Sequence, residues 1–180
     1  MKTKEEIIID LQAGVKAFRY GTYSINFARD FNLPQHKIHL GNNQFICGTE
    51  FSEYISNKPG QDFLLGNTGA LLRASLISSS YERVKYYCNN SSNKNRDKFL
   101  YKESHDYIPL LQIFHLMRNS VISHWVHEGY IDSEKDYPNV IEFRNLKIYK
   151  NMRAGGPIFN SLQTVQLVEY LICFVKECLD

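Results

Sequence analysis

No stretch of this sequence is apolar for anything near the roughly 18 residues that cross a bilayer, and the amino terminus does not open like a secretory leader. Met1-Lys2-Thr3-Lys4-Glu5-Glu6 is charged and runs straight into an amphipathic segment, where a leader places an apolar core. A dominant charge of one sign is missing too. The net charge of +2 excludes a polycation that coats nucleic acid through bulk charge, but leaves room for RNA held by a local basic cluster. Cysteine is sparse and unpatterned: Cys47, Cys88, Cys173 and Cys178 include no CxxC pair and no Cys/His grouping at zinc spacing. The expectation is a cytoplasmic protein with reduced thiols, no metal, no cofactor and no membrane contact. Asn89-Asn90-Ser91 and Asn90-Ser91-Ser92 match the glycosylation sequon, yet without a leader they read as polar loop. Gly66-Asn67-Thr68-Gly69 lacks the lysine and the preceding strand of a phosphate-binding loop, so nucleotide binding on that basis is set aside.

What is present suits one folded domain spanning residues 1–180. A hydrophobic share of 43% with 22% charged residues is ordinary for a globule, and a chain this long buries a core without disulfides or metal. A first helix is predicted from Thr3 to Tyr20, with Ile7, Ile8, Leu11, Val15 and Phe18 inward, Thr3 and Glu6 as a capping box, and Gly21 as its stop. The helical period is then lost, and residues 22–60 read as an irregular insertion. Within it, Lys37–Leu40 and Gln44–Cys47 flank Gly41-Asn42-Asn43 as a short hairpin. A second helix is predicted after Pro59-Gly60, capped by Asp62 or starting nearer Asn67, and running to Cys88 with Leu71, Leu72, Leu76, Tyr81 and Val84 inward. Residues 89–103 read as a polar surface loop. A third helix begins near Ser104, or later with Pro109 in its first turn, and reaches Trp125. Val140–Phe143 and Leu146–Tyr149 around Arg144-Asn145 suggest a second small hairpin within residues 137–157. A closing helix from Ser161 carries Leu162, Val165, Val168, Leu171, Ile172 and Val175 inward. The fold class is mainly all-α: a bundle of four to five helices with small β-hairpin insertions.

The chemistry is concentrated in the third helix. Leu110, Phe114, Met117 and Val121 recur at three- and four-residue steps, one helical face. Near the end of that face stand Arg118, Asn119 and His124, groups that are costly to bury unpaired. Residues six apart on a helix differ by about 240° in direction and about 9 Å in rise. Arg118 and His124 therefore share no stripe, and they converge only on a substrate spanning that rise or across a two-fold axis. Taken alone, such a pair is more often a snorkelling arginine and a hydrogen-bonded core histidine.

Arg118-Asn119-Ser120-Val121-Ile122-Ser123-His124 resembles the signature of the HEPN superfamily. In that family an arginine, usually followed by a polar residue and often asparagine, precedes a histidine with four to six residues between them, late in a long helix of a small bundle. The resemblance implies a metal-independent endoribonuclease of toxin–antitoxin or phage-defence systems, working as a homodimer with a composite site. It also implies a cognate antitoxin as candidate partner, with Arg118 and His124 catalytic and Asn119 assisting. One subgroup carries a tyrosine two residues after the histidine, where this chain has Val126, so AMPylation at that position is not expected. The residue types suit the reaction. Histidine exchanges a proton near neutrality, and arginine presents a fork to phosphate oxygens. The expected product is a 2′,3′-cyclic phosphate. A non-catalytic HEPN-like module that binds RNA or a protein is the alternative. Arg83 and Lys85, beside Tyr86-Tyr87 and near Lys94, Arg96 and Lys98, are candidate substrate-binding cations, although such a group is more often a solvated face. His127 follows His124 at a metal-pair spacing without a carboxylate placed to complete the site. His36, His39, His105 and His115 are expected to be structural or exposed.

Overall fold

A computed structural model describes residues 2–30, 37–41, 44–47, 60–124, 138, 140–149 and 159–180. Among these, the order is α1 (Lys4–Asp30), β1 (Lys37–Gly41), β2 (Gln44–Cys47), α2 (Gly60–Ser91), α3 (Asn93–Phe99), α4 (Ile108–His124), β3 (Val140–Phe143), β4 (Leu146–Tyr149) and α5 (Ser161–Cys178). The strands form two separate antiparallel hairpins, so the chain is a mainly helical bundle with small β insertions. It divides into two compact units, Met1–Lys16 with Arg73–Asp180, and Ala17–Leu72.

In the unit Ala17–Leu72, α1 continues well beyond the predicted stop. A Cβ added at Gly21 would meet Leu72 Cδ1 at 3.4 Å. Gly21 thus sits against a leucine from α2, and the ~1 kcal/mol that a mid-helix glycine costs does not end the helix. Residues 22–30, expected to be irregular, are helical. The first hairpin forms where predicted, pairing Lys37 with Cys47, Ile38 with Ile46 and His39 with Phe45, and shifts register before Gly41. Helix α2 starts at Gly60, and Gly66 and Gly69 lie inside it.

The other unit is built on capped helices. Thr3 N donates to Glu6 Oε2 at 2.7 Å and Glu6 N donates to Thr3 Oγ1 at 3.2 Å, which is the predicted capping box. Ile7, Leu11 and Val15 of α1 are buried. A Cβ on Gly14 would lie 3.3 Å from Leu76 Cδ1, so α1 and α2 approach closely there. The buried seam of α2 is Ala74, Ile77, Tyr81, Val84 and Cys88. Leu71 stands three residues before Ala74, where the alternating three- and four-residue steps of that seam call for four, and it is 50% exposed. One residue is about 100° of helix, enough to turn the predicted inward leucine out.

The predicted polar loop holds α3. Ser92 caps it, accepting from Asn95 N at 3.1 Å, and Phe99 is buried 5.3 Å from the Tyr81 ring. Asn95 is also buried. Its Nδ2 donates to Ser91 Oγ at 3.0 Å and to the Asp180 carbonyl at 3.4 Å, and its Oδ1 accepts from Asp180 N at 3.0 Å. A segment polar enough to read as loop is ordered by bonds to a residue far along the chain.

Helix α4 begins with Pro109 in its first turn, where a missing N–H costs nothing. The second hairpin pairs Ile141 with Ile148 and Phe143 with Leu146. These four are buried while Glu142 and Lys147 face out, the period-two alternation of a half-covered sheet. At the turn, Arg144 takes φ 55° and its guanidinium lies 4.6 Å from the Tyr170 ring centroid. Strand β3 and helix α5 both pack on α4. Helix α5 opens with a capping box between Asn160 and Gln163 and buries Thr164, Val165, Leu167, Val168, Leu171, Ile172, Phe174 and Val175. The predicted inward Leu162 is 67% exposed, because the seam steps back from Val165 and Val168 to Ser161, one position away.

Candidate functional site

Among its described side chains, those of residues 108–118, helix α4 has none that is exposed. Leu110, Leu111, Ile113, Phe114, Leu116 and Met117 are all buried, so the helix is apolar around most of its circumference and belongs in a core. Gln112 and His115 are half-buried. Arg118 follows at once, the first charge after this run.

Two polar links join α4 to α2 here. Tyr81 Oη and His115 Nδ1 are 3.1 Å apart, with the rings edge to face at 6.1 Å and Phe114 stacked near Tyr81 at 6.3 Å. One residue on along α2 and one turn on along α4, Arg118 Nε lies 2.8 Å from Glu82 Oε1. The two side chains are 30% and 42% exposed, at the border between core and water. The other oxygen of Glu82 is 3.7 Å from Lys85 Nζ. One carboxylate thus gathers two cations, one from each helix. The Lys85 contact is exposed, of the kind worth about 0–1 kcal/mol. The Arg118 contact is more enclosed, and removing either partner leaves a charge partly cut off from water.

The other predicted cations are placed differently. Arg83 Nη1 donates to the Asp10 carbonyl at 3.1 Å, and Nη1 also lies 3.9 Å from the Asp10 carboxylate, so its guanidinium braces α1 rather than joining Arg118. Lys2 bonds the same carboxylate. That bond first, with the Lys2 and Arg83 charges adding, holds the Asp10 carboxyl below its ordinary value against the opposing effect of burial. Lys94 pairs with the Asp180 carboxylate at 3.1 Å and Lys98 donates to the Cys178 carbonyl. Tyr87 is buried and donates to the Asp180 carbonyl at 2.6 Å, whereas Tyr86 is exposed. Most of the basic-aromatic neighbourhood therefore fastens Cys178–Asp180 and α1. Lys85 is brought to Arg118 through Glu82.

Asn119 and His124 are helical in α4, and their side chains lie outside the described residues, as do Trp125, Val126, His127, Glu128 and His36. His105 is a structural group: its Nδ1 accepts from Tyr107 N at 3.2 Å and its Nε2 donates to the Lys98 carbonyl at 2.9 Å, which fixes the Nε2–H tautomer. His115 is held by Tyr81. Among the described residues, no group of three or more His, Cys, Asp or Glu is arranged to hold a metal ion.

Glu82 is the neighbour of Arg118 that the sequence reading does not single out. Its signal was available: it is the acid directly beside the Ile77–Tyr81–Val84 seam of α2. An acid in that position reaches the border of whatever helix the seam packs against.

No helix among the described residues is long and apolar enough to cross a membrane. No protein-family model, no curated protein and no solved structure matches the chain.

Proposed function

We propose that this chain is a metal-independent endoribonuclease of the toxin or phage-defence kind. In this reading it is a homodimer of HEPN type whose composite site takes Arg118 and His124 from each copy of α4. The observation that carries the reading is Arg118 itself, a part-buried cation directly after a mostly buried apolar run, on the helix that also bears Asn119 and His124. A charge kept at that border costs desolvation, and phosphate recognition is a reason to keep it there.

The reaction needs only these side chains. His124, acting as base, takes the proton of a ribose 2′-hydroxyl. The 2′-oxygen then forms a bond to phosphorus while the bond to the 5′-oxygen breaks, and that oxygen leaves with a proton from the partner copy's imidazolium. Arg118 stabilises the negative charge that gathers on the phosphoryl oxygens. Asn119 orients the imidazole or contacts phosphate, and Lys85 adds a second cation near Arg118. A cognate antitoxin protein would cover the same cleft.

The test is incubation of the purified chain with RNA in excess chelator, against His124→Ala. The expected result is a product ending in 2′,3′-cyclic phosphate, lost in the variant by the 10²–10⁴-fold usual for a proton-transfer group. Undiminished cleavage by His124→Ala refutes the assignment.

The Arg118–Glu82 pair favours a second reading, a non-catalytic HEPN-like module that binds RNA or protein, since an arginine that already holds a carboxylate also braces the bundle. RNA binding without cleavage, unchanged by Arg118→Ala and His124→Ala, selects that reading.

A further inference from the structure

We infer that Glu82 is the positioning residue of this site, holding Arg118 and Lys85 so that both cations meet an RNA phosphodiester as one unit. The inference rests on the ribonuclease reading above. Three observations converge on it. Glu82 Oε1 sits 2.8 Å from Arg118 Nε, the nitrogen at the stem of the guanidinium; both atoms are buried, and this ion-pair attraction rather than a hydrogen bond draws the stem toward the carboxylate. Glu82 Oε2 lies 3.7 Å from Lys85 Nζ, so the carboxylate offsets the repulsion between two cations and leaves the trio with one net positive charge. The adjacent Tyr81–His115 link at 3.1 Å ties the same turns of α2 and α4 together, so the carboxylate is delivered from a backbone that is itself braced.

Arginine and lysine have long side chains with many rotors, and ordering each one on binding costs affinity. A carboxylate that orders them beforehand moves this cost from the binding step into folding. For a reaction that stabilises charge on phosphoryl oxygens, that preorganisation acts in the transition state. A misplacement of about 1 Å is enough to lose about 10²-fold in rate. The same carboxylate would also repel phosphate if it stood in the binding position, and the experiment decides between the two roles.

The experiment compares the full chain with Glu82→Ala and Glu82→Gln in steady-state RNA cleavage, with a thermal melt of each. A second arm measures binding of a 2′-O-methyl RNA oligonucleotide, which has no free 2′-hydroxyl to react, to wild type, Glu82→Ala, Arg118→Ala and the double variant. Positioning predicts that Glu82→Ala lowers kcat about 10- to 100-fold with a much smaller change in KM. Glu82→Gln, which keeps the length and an acceptor oxygen, recovers part of kcat. In the binding arm, Glu82→Ala weakens the wild-type chain and does nothing further once Arg118 is gone. A rise in kcat with a fall in KM shows a blocking carboxylate and overturns the inference. So do an unchanged kcat, losses that merely follow the fall in melting temperature, additive effects in the binding cycle, or no Arg118-dependent binding at all. If wild type and His124→Ala cleave alike, the ribonuclease reading fails, and the binding cycle still decides the role of Glu82.

Discussion

Replacing Asn95 by alanine tests whether the short helix α3 is held by its bonds to Asp180 or by its own cap. Asn95 is 1% exposed and its side chain makes three hydrogen bonds: Nδ2 to Ser91 Oγ at 3.0 Å, Nδ2 to the Asp180 carbonyl at 3.4 Å, and Oδ1 from Asp180 N at 3.0 Å. The bond at 3.4 Å is long and counts for little. The Asp180 carbonyl also keeps its bond from Tyr87 Oη at 2.6 Å, so the carbonyl is not orphaned. The Asp180 N–H is. Leaving a buried donor unmet costs about 1–3 kcal/mol, and each good bond contributes about 0.5–1.5 kcal/mol. Asp180 is exposed, so water partly replaces the lost acceptor and the low end applies. The expected loss is about 2 kcal/mol, which lowers the melting temperature of a chain this size by about 4–8 °C. Urea and thermal unfolding followed by circular dichroism measure it, with the exposed Asn93→Ala as comparator, expected within about 0.5 kcal/mol of wild type. Amide exchange at Asp180 should rise in Asn95→Ala alone. If Asn95→Ala matches Asn93→Ala in stability, the clamp contributes nothing and α3 is held by Ser92 and Phe99.

The cap of α5 gives a smaller effect. Asn160→Ala removes the acceptor of the Gln163 N–H, now at 2.9 Å, and should cost about 1 kcal/mol in urea unfolding, with Asn160→Asp recovering most of it; equal losses in both variants would refute capping. Burial pushes the Cys88 thiol from 9.0 up to about 12. The folded chain therefore keeps a proton that the unfolded chain releases between about pH 9 and pH 12, so the contribution of Cys88 is complete below the lower value and is lost as pH rises toward the upper. At pH 8 iodoacetamide should label Cys88 in urea and spare it in the native chain; equal labelling by peptide mass spectrometry would contradict the burial.

Features written in neighbouring residues were the legible ones. Thr3 and Glu6 are three apart, and the two short hairpins each turn within a few residues. Their geometry is local, and both forecasts match the structure. What sequence missed depends on partners elsewhere. Asn95 reads as loop because nothing near it says that Asp180, 85 residues on, will occupy its amide. Gly21 reads as a stop because glycine at a helix end and glycine under a leucine look alike until Leu72 is seen against it. Leu71 and Leu162 were placed inward for being leucines, whereas the seams are set by Ala74–Ile77–Tyr81 and Val165–Val168, and a residue one step off a seam faces water however apolar it is. The candidate site divides the same way. Arg118 is conspicuous in sequence as a charge ending an apolar run, while its pairing with Glu82 is a fact of tertiary packing alone.

That pairing explains how a bundle core can hold a cation without losing its order. From Leu110 to Met117, α4 is apolar except for the half-buried Gln112 and His115, and a guanidinium placed next would ordinarily swing out to water. Glu82 gives it a reason to stay, at the point where desolvation is only partial and the attraction is stronger than between two fully solvated groups. The neighbouring Tyr81–His115 link keeps the two helices in register, so the carboxylate meets the guanidinium through fixed backbones rather than chance rotamers. Removing one member of such a pair leaves the other partly desolvated and uncompensated, which costs more than losing both. Structural and functional accounts of Arg118 therefore need not compete. The contact that lets the fold tolerate the charge also fixes where that charge is presented, and the two roles separate only when Glu82 is changed while Arg118 is kept.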